Sequence, residues 1–285
     1  MEANSTNYLE GNPAINLTLL VRLLGIFAFV GNIFVVSVII KCPSLHTSSN
    51  YLTASLAIVD LSSSLPMMLL MENTWLLYFV FFYLTSVSLT HLLAMTIDKY
   101  LLITRPFFYQ RISKKCVCIL ICIVWITPLI TFADGRITFK STDVIIFVCE
   151  NLYQVTLISI ISLTVGLISY FIIISLNVRI YIIACKQFRQ INAVISGQPL
   201  ATFAASWKAT KTTMIVIGAF MICSTPTYIF VLLSLFCCDL PHIVNNLIVP
   251  SLSINSVLNP IIYTFRRQEF KNAARNVIKA LRISG

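Results

Sequence analysis

The sequence predicts an all-α membrane protein: a seven-transmembrane helix bundle with a short amphipathic eighth helix. Three observations predict it. Of 285 residues, 58% are hydrophobic and only 11% charged, with a mean hydropathy of +0.90, whereas a soluble domain is about a quarter charged. The chain holds seven apolar stretches, each long enough for the roughly 20 residues that a spanning helix needs. Seventeen of its 20 Lys and Arg fall on one side of those stretches, the asymmetry of a positive-inside membrane protein.

The first span is expected at about 17–41. The polar residues before it carry two glycosylation sequons, Asn4-Ser5-Thr6 and Asn16-Leu17-Thr18, which are usable only outside the cytosol. No basic-then-apolar leader is present in 1–16, so the first span is expected to act as signal anchor. The second, at about 50–72, carries Asp60, the only acid deep within a span. The third, about 75–104, ends in Asp98-Lys99-Tyr100, and the fourth, about 115–133, carries Trp125 and Pro128. The fifth and sixth are read at about 152–185 and 204–236, the sixth with Phe220, Cys223, Ser224 and Pro226.

The seventh, about 242–264, closes on Asn259-Pro260-Ile261-Ile262-Tyr263. A proline and an asparagine persist inside a lipid-buried helix only where neighbouring helices or water satisfy the freed polar groups. That motif therefore implies a packed bundle. In the tail helix, at about 266–281, Phe270, Ala274, Val277, Ile278 and Leu281 share one face. Arg267, Lys271, Arg275, Lys279 and Arg282 cover much of the rest, the pattern of a helix on an anionic membrane surface. The domain organisation follows: 1–16 outside, 17–264 the bundle, 265–285 a cytoplasmic tail.

A net charge of +10 would ordinarily raise nucleic acid as a partner, but its one-sided distribution points to the membrane. The opposite side holds Arg22, Arg136 and Lys140 with seven acids. An external N-terminus and a cytoplasmic C-terminus follow, and these require an odd number of spans. Nine cysteines do not form a disulfide scaffold, since only Cys149, Cys237 and Cys238 fall outside. These are the candidates for a single bridge, Cys149 with either of the other two. The sequence has no metal-ligand spacing, phosphate loop, nucleophile elbow or internal repeat, so nothing supports an enzyme or a transporter built of paired repeats.

Ionisable groups inside a membrane are functional candidates. Asp60 is flanked on other spans by Asn32, Ser88, Asn255, Ser256 and Asn259. A lone carboxylate there must be protonated, paired or bound to a cation. The cluster is expected to hold water, a proton or a sodium ion, or else to be a structural knot between helices.

Taken together, these residues resemble the rhodopsin-like family of G-protein-coupled receptors. Gly31-Asn32, Leu56-Ala57-Ile58-Val59-Asp60, Asp98-Lys99-Tyr100 with Pro106 and Tyr109, Trp125, Phe220 to Pro226, and Asn259 to Tyr263 follow the family's motifs in order. The resemblance implies a receptor in the plasma membrane. An external ligand biases a bistable bundle, helix 6 moves and a heterotrimeric G protein binds the opened cytosolic face. Asp98, Lys99, Tyr100, Phe107, Lys208, Lys211, Asn259, Pro260 and Tyr263 are then the switch and G-protein face. Asp60 and its polar neighbours match the family's sodium cluster, and Phe220, Cys223, Ser224 and Pro226 form the helix-6 hinge.

The departures are specific. Lys99 stands where the family carries Arg, and lysine lacks the planar fork of guanidinium. Ser206 replaces the acid that many relatives pair with that Arg. Ser224 replaces the sixth-helix Trp, which leaves a ring missing beneath the pocket. Ser169 and Asn177 replace the fifth helix's Pro and Tyr. The connection between the second and third spans shrinks to about Glu72-Asn73-Thr74, and the cysteine that usually caps helix 3 is absent. Receptors of the melanocortin branch share some of these absences and also carry cysteines in the third external loop, as Cys237-Cys238 does here.

By the same resemblance the ligand pocket is lined by Phe81, Phe82, Thr85, Ile161, Val165, Thr227, Tyr228, Val231, Val249 and Ser253. Phe81 sits where amine receptors carry their ammonium-binding Asp, which argues against an ordinary monoamine. No lysine lies between His242 and Tyr263, which excludes a retinal Schiff base there. An apolar pocket with a few hydroxyls suits neutral small molecules or lipids, while acidic outer loops suit a basic peptide. The altered Lys99, Ser224 and Asn177 also motivate an alternative, a non-signalling or decoy protein or a partner of other receptors.

Overall fold

The computed structural model describes residues 13–69, 74–132, 152–194, 199–234 and 242–283. Seven long helices run through them: α1 (Pro13–Lys41), α2 (Ser48–Leu69), α3 (Thr74–Thr104), α5 (Lys114–Phe132), α6 (Leu152–Val194), α7 (Pro199–Ser234) and α8 (His242–Arg266). Two shorter helices, α4 (Pro106–Gln110) and α9 (Gln268–Ile283), accompany them. The expected spans are all present. α6 and α7 run further toward their shared connection than the expected spans: the polar stretch Gln187–Val194 continues α6, and α7 begins at Pro199.

α1 packs against α2 and α8, α2 against α3, α3 against α5 and α6, α6 against α7, and α7 against α8, so the ring closes. Polar groups line its inside: Asn32, Asp60, Ser64, Ser88, His91, Thr96, Ser224, Ser253, Asn255 and Asn259 are all buried. Large apolar side chains cover its outside, among them Phe27, Val30, Ile40, Phe171, Ile182 and Ile222. A water-soluble protein does not expose apolar surface on this scale, whereas lipid is a good solvent for it. Taken alone, Leu17–Lys41 and Leu163–Gln187 are the two described stretches long and apolar enough to cross a membrane. In the other long helices the inward polar groups dilute the apolar signal.

The described apolar core gathers toward one end, which carries Lys41, Asp98 and Arg267 and is termed here the basic end. It joins Val35 and Val38 of α1, Leu52 and Leu56 of α2, Leu92 and Met95 of α3, Val117 of α5, Ile173 of α6, Phe220 of α7 and Tyr263 of α8. Prolines sit inside α2 (Pro66), α5 (Pro128), α7 (Pro226) and α8 (Pro250, Pro260). Each removes a backbone donor and opens the local ladder. α1 comes close at Pro260, where a Cβ added to Gly31 would lie 2.8 Å from the ring Cγ. No residue larger than glycine fits there without a shift.

α9 corrects one expectation. Its apolar side does not lie free for a membrane surface at its start. Phe270, Ala273 and Ala274 are buried, Phe270 meets Phe34 of α1 edge-on at 6.4 Å, and the Cys42 thiol contacts the Ala273 carbonyl. Amphipathicity shows that a helix must cover one face, not what covers it; here the neighbouring protein takes the first two turns.

Candidate functional site

The central polar seam begins at Asp60, one helical face of α2 turned fully inward. Asn259 Nδ2 of α8 donates to Asp60 Oδ2 at 2.7 Å. On α1, Asn32 Nδ2 donates to Ala28 O at 2.8 Å and across to Ser256 O of α8 at 3.0 Å. The Pro260 ring leaves the Ser256 carbonyl without its usual i+4 donor, and Asn32 supplies one. That is the physical use of an asparagine in the first span. Beside these contacts lies a cavity of about 20 Å³, lined by Ser63, Thr85, Ser88, Asn255 and Ser256, with Phe220 and Leu252 among its apolar walls. It has room for one water-sized occupant. The buried Asn255 Oδ1 in its lining has no hydrogen-bond partner. Of the expected cluster, then, Asn259 and the Ser256 side chain both hydrogen-bond Asp60, while Ser88, Asn255 and Ser256 line the adjacent cavity.

The basic end is built differently from the expectation. Lys99 was expected to face a cytosolic partner, but it is 4% exposed. Its ammonium donates to Ser49 Oγ at the start of α2 and lies 3.3 Å from Asp98 Oδ2. Asp98 Oδ1 accepts from Tyr109 of α4 at 2.8 Å. Burial, then the Asp98 carboxylate, pushes the Tyr109 phenol well above its ordinary range, so it remains the donor. Tyr263, expected at the same face, is 1% exposed and packs in the core, and the Arg267 guanidinium lies over its ring, 5.8 Å from the centroid. Arg267 donates to Asn50 Oδ1 at 2.8 Å. Lysine is long enough to reach α2 once no acid on α7 competes for it. Phe107 (82% exposed), Phe108 and Lys211 do remain on the surface, and Tyr100 is half-buried.

A third joint ties α2, α3 and α5. Trp125 Nε1 donates to Ser55 Oγ at 3.0 Å, and Ser55 lies 2.7 Å from His91 Nε2. His91 Nδ1 lies 2.9 Å from Val87 O. The three contacts agree with a neutral imidazole protonated on Nδ1 that accepts from the serine.

The hinge residues lie on α7. Phe220 is buried under the cavity and Pro226 lies within the helix. Cys223 is a half-buried free thiol. At Ser224, where the ring is missing, Tyr170 of α6 comes in from the neighbouring helix, its hydroxyl 2.6 Å from Ser224 Oγ. Among the pocket candidates, Thr227, Tyr228 and Ser253 face inward and Thr85 lines the cavity. Ile161 and Val165 do not belong there. They are 40% and 46% exposed on the face of α6 opposite Leu163 and Gly166. The inward phase of α6 is set by Leu163, Gly166, Tyr170 and Ile173, which a uniformly apolar sequence hides. The side chains of Asn16, Phe81, Phe82, Lys208, Val231 and Val249 lie outside the described residues, as do Asn4, Cys149, Cys237 and Cys238.

A family model, the seven-transmembrane receptors of the rhodopsin family, matches residues 31–263. The chain belongs to the rhodopsin family of seven-transmembrane receptors. The match runs from Gly31, beside Pro260, to Tyr263, and so spans the whole polar seam. Relatives include lysophosphatidic acid receptor 3 of Rattus norvegicus, 30% identical over 271 residues, covering 89% of this chain and 75% of that one. Trace amine-associated receptor 1 of Macaca mulatta is 28% identical over 292 residues, covering 91% and 86%. Octopamine receptor beta-1R of Drosophila melanogaster is 25% identical over 302 residues, covering 89% and 59%. The protein is a G-protein-coupled receptor, a multi-pass membrane protein and not an enzyme. These relatives lend no support to a non-signalling alternative.

Several residues of this rhodopsin-family receptor's seams escaped the sequence: Ser49, Asn50, Ser55, Ser63, His91 and Tyr170. The first two read as ordinary helix-start residues. The available signal for Tyr170 was volume, since a helix that loses a tryptophan must be filled from its neighbour.

Proposed function

We propose that this receptor takes an apolar ligand of lipid or neutral small-molecule type from outside the cell, in the plasma membrane. Its basic end lies in the cytosol and couples to a heterotrimeric G protein through movement of α7. The family match over 31–263 carries this proposal. The one-sided lysines and arginines support the orientation. Exposed Phe107 and Lys211 support a G-protein face there. For the ligand, the relatives' names divide between a lysophospholipid and amines. Phe81 in place of a carboxylate favours the former chemistry, since a buried ammonium needs a counter-charge. The melanocortin comparison rests on a few absences and Cys237-Cys238, and it does not enter this assignment.

The cavity beside Asp60 suits one sodium ion or water. The unpartnered Asn255 oxygen, the Ser88 and Ser63 hydroxyls and the nearby carboxylate are hard oxygen donors of the right kind. A cation there would tie α2, α3 and α8 in one arrangement.

The test is basal and lipid-stimulated nucleotide exchange across G-protein families, with surface expression followed in parallel. Exchange that disappears in Asp98→Ala supports coupling. A well-expressed protein silent with every G protein and every lipid class would overturn it. Sodium sensitivity of exchange that persists in Asp60→Asn would remove the ion from the cluster.

A further inference from the structure

α6 and α7 meet through two reciprocal pairs, each a large ring against a small residue. Tyr170 of α6 stands opposite Ser224 of α7, its hydroxyl 2.6 Å from the serine Oγ. One turn away Tyr228 of α7 stands opposite Gly166 of α6. A Cβ on that glycine would come within 2.5 Å of the Tyr228 ring. The two tyrosines also meet edge-on, with centroids 5.1 Å apart. Ser224 Oγ is shared, because it also donates to Phe220 O of its own helix. The carbonyl it reaches lies in the same helix, six residues before Pro226, whose ring leaves the Ile222 carbonyl without its i+4 donor. Ser224 is wholly buried and Thr227 nearly so.

We propose that Tyr170 is the positioning residue of the α7 hinge. Its bond to Ser224, braced by the Tyr228 ring seated on Gly166, is a latch that holds α7 against α6 in the resting state. The proposal rests on the reading that α7 moves during signalling. Opening requires the Tyr170 hydroxyl to leave Ser224, and the two small residues to part from the rings seated on them. Ser224 has no ring of its own, so the ring at this joint is that of Tyr170 on α6, and α7 leaves it on opening. A ligand that shifts Tyr228 releases the brace, because Tyr228 touches both Gly166 and Tyr170.

The test uses the full receptor with a fluorine reporter side chain placed at exposed Lys211 of α7 by codon suppression. Fluorine NMR reads the resting and open populations, and nucleotide exchange is measured separately without the reporter. Tyr170→Phe keeps the ring and its packing and removes only the bond. With one buried hydrogen bond lost, the open population is expected to rise about fivefold. Ser224→Ala should do the same. The double variant should go no further than Ser224→Ala alone, because that change removes the bond to the Phe220 carbonyl and has already broken the one bond that Tyr170→Phe breaks. Populations unchanged in both single variants, or additive in the double, would overturn the latch. Shifted populations with no exchange in any form would leave the latch standing and sink the G-protein reading instead.

Discussion

Lys99 of α3 is bonded to Ser49 of α2, so the cation at the family's switch position is held by the start of a neighbouring helix and not by α7. Asp98 lies beside it at 3.3 Å and Tyr109 closes the group from α4. The ammonium is thus satisfied within the basic end. Releasing it leaves Ser49 and Asp98 short of a buried partner.

Ser49→Ala should therefore raise basal nucleotide exchange and lower thermal stability together. A hydrogen bond to a charged group contributes about 1.5–3 kcal/mol. Lys99→Arg is expected to differ from wild type, because a guanidinium has a planar fork that a single serine oxygen cannot match. Melting curves in detergent alongside basal exchange decide this. Unaltered values for Ser49→Ala would mean that the bond holds nothing.

Gly31→Ala should destabilise the bundle by about 1–3 kcal/mol, the range for overpacking a filled contact. The added methyl meets the Pro260 ring at 2.8 Å and pushes α1 away from α8, where Asn32 spans to the Ser256 carbonyl. Gly218→Ala is the control, since a Cβ there meets nothing within 4 Å. A lower melting temperature is expected for the first and not the second.

Trp125→Phe keeps the apolar ring against His91 but removes the indole donor to Ser55. A loss of about 1–2 kcal/mol is expected, as for one buried bond broken on one side. Ser55→Ala should cost more, because it leaves both Trp125 Nε1 and His91 Nε2 without a partner. Thermal unfolding of the two variants gives the order, and the reverse order would exclude the relay.

Phe107→Ala should leave folding untouched and weaken G-protein activation about tenfold or more, the effect of losing an aromatic anchor at an interface. The side chain is 82% exposed and supports nothing in the receptor itself. A variant that couples normally would move the partner surface elsewhere on the basic end.

Tyr109 gives a pH dependence of known sign. Its phenol is raised in the folded state by burial and by Asp98. The stability it contributes is complete below the unfolded tyrosine value of about 10 and declines as pH climbs past that value. The stability gap between wild type and Tyr109→Phe should thus be constant near neutrality and narrow in strong alkali. A gap that widens there would reverse the assignment.

Composition determined the seven helices and their number, because lipid leaves a backbone few choices. The order of motifs determined the family, and an asparagine-proline pair in an apolar helix marked the polar seam. Only the tertiary structure decided which way each apolar helix turns. Ile161 and Val165 are as hydrophobic as Leu163, and in a membrane both faces of a helix may be apolar. The partner of a lone cation was equally hidden. Lys99 could reach α7, α4 or the solvent, and the short Ser49 side chain fixed it only once α2 and α3 were packed. Tyr170 came in from the neighbouring helix at Ser224, where the ring is absent, for the same reason. Space in a close-packed interior is filled by whatever lies opposite, and what lies opposite is a property of the fold.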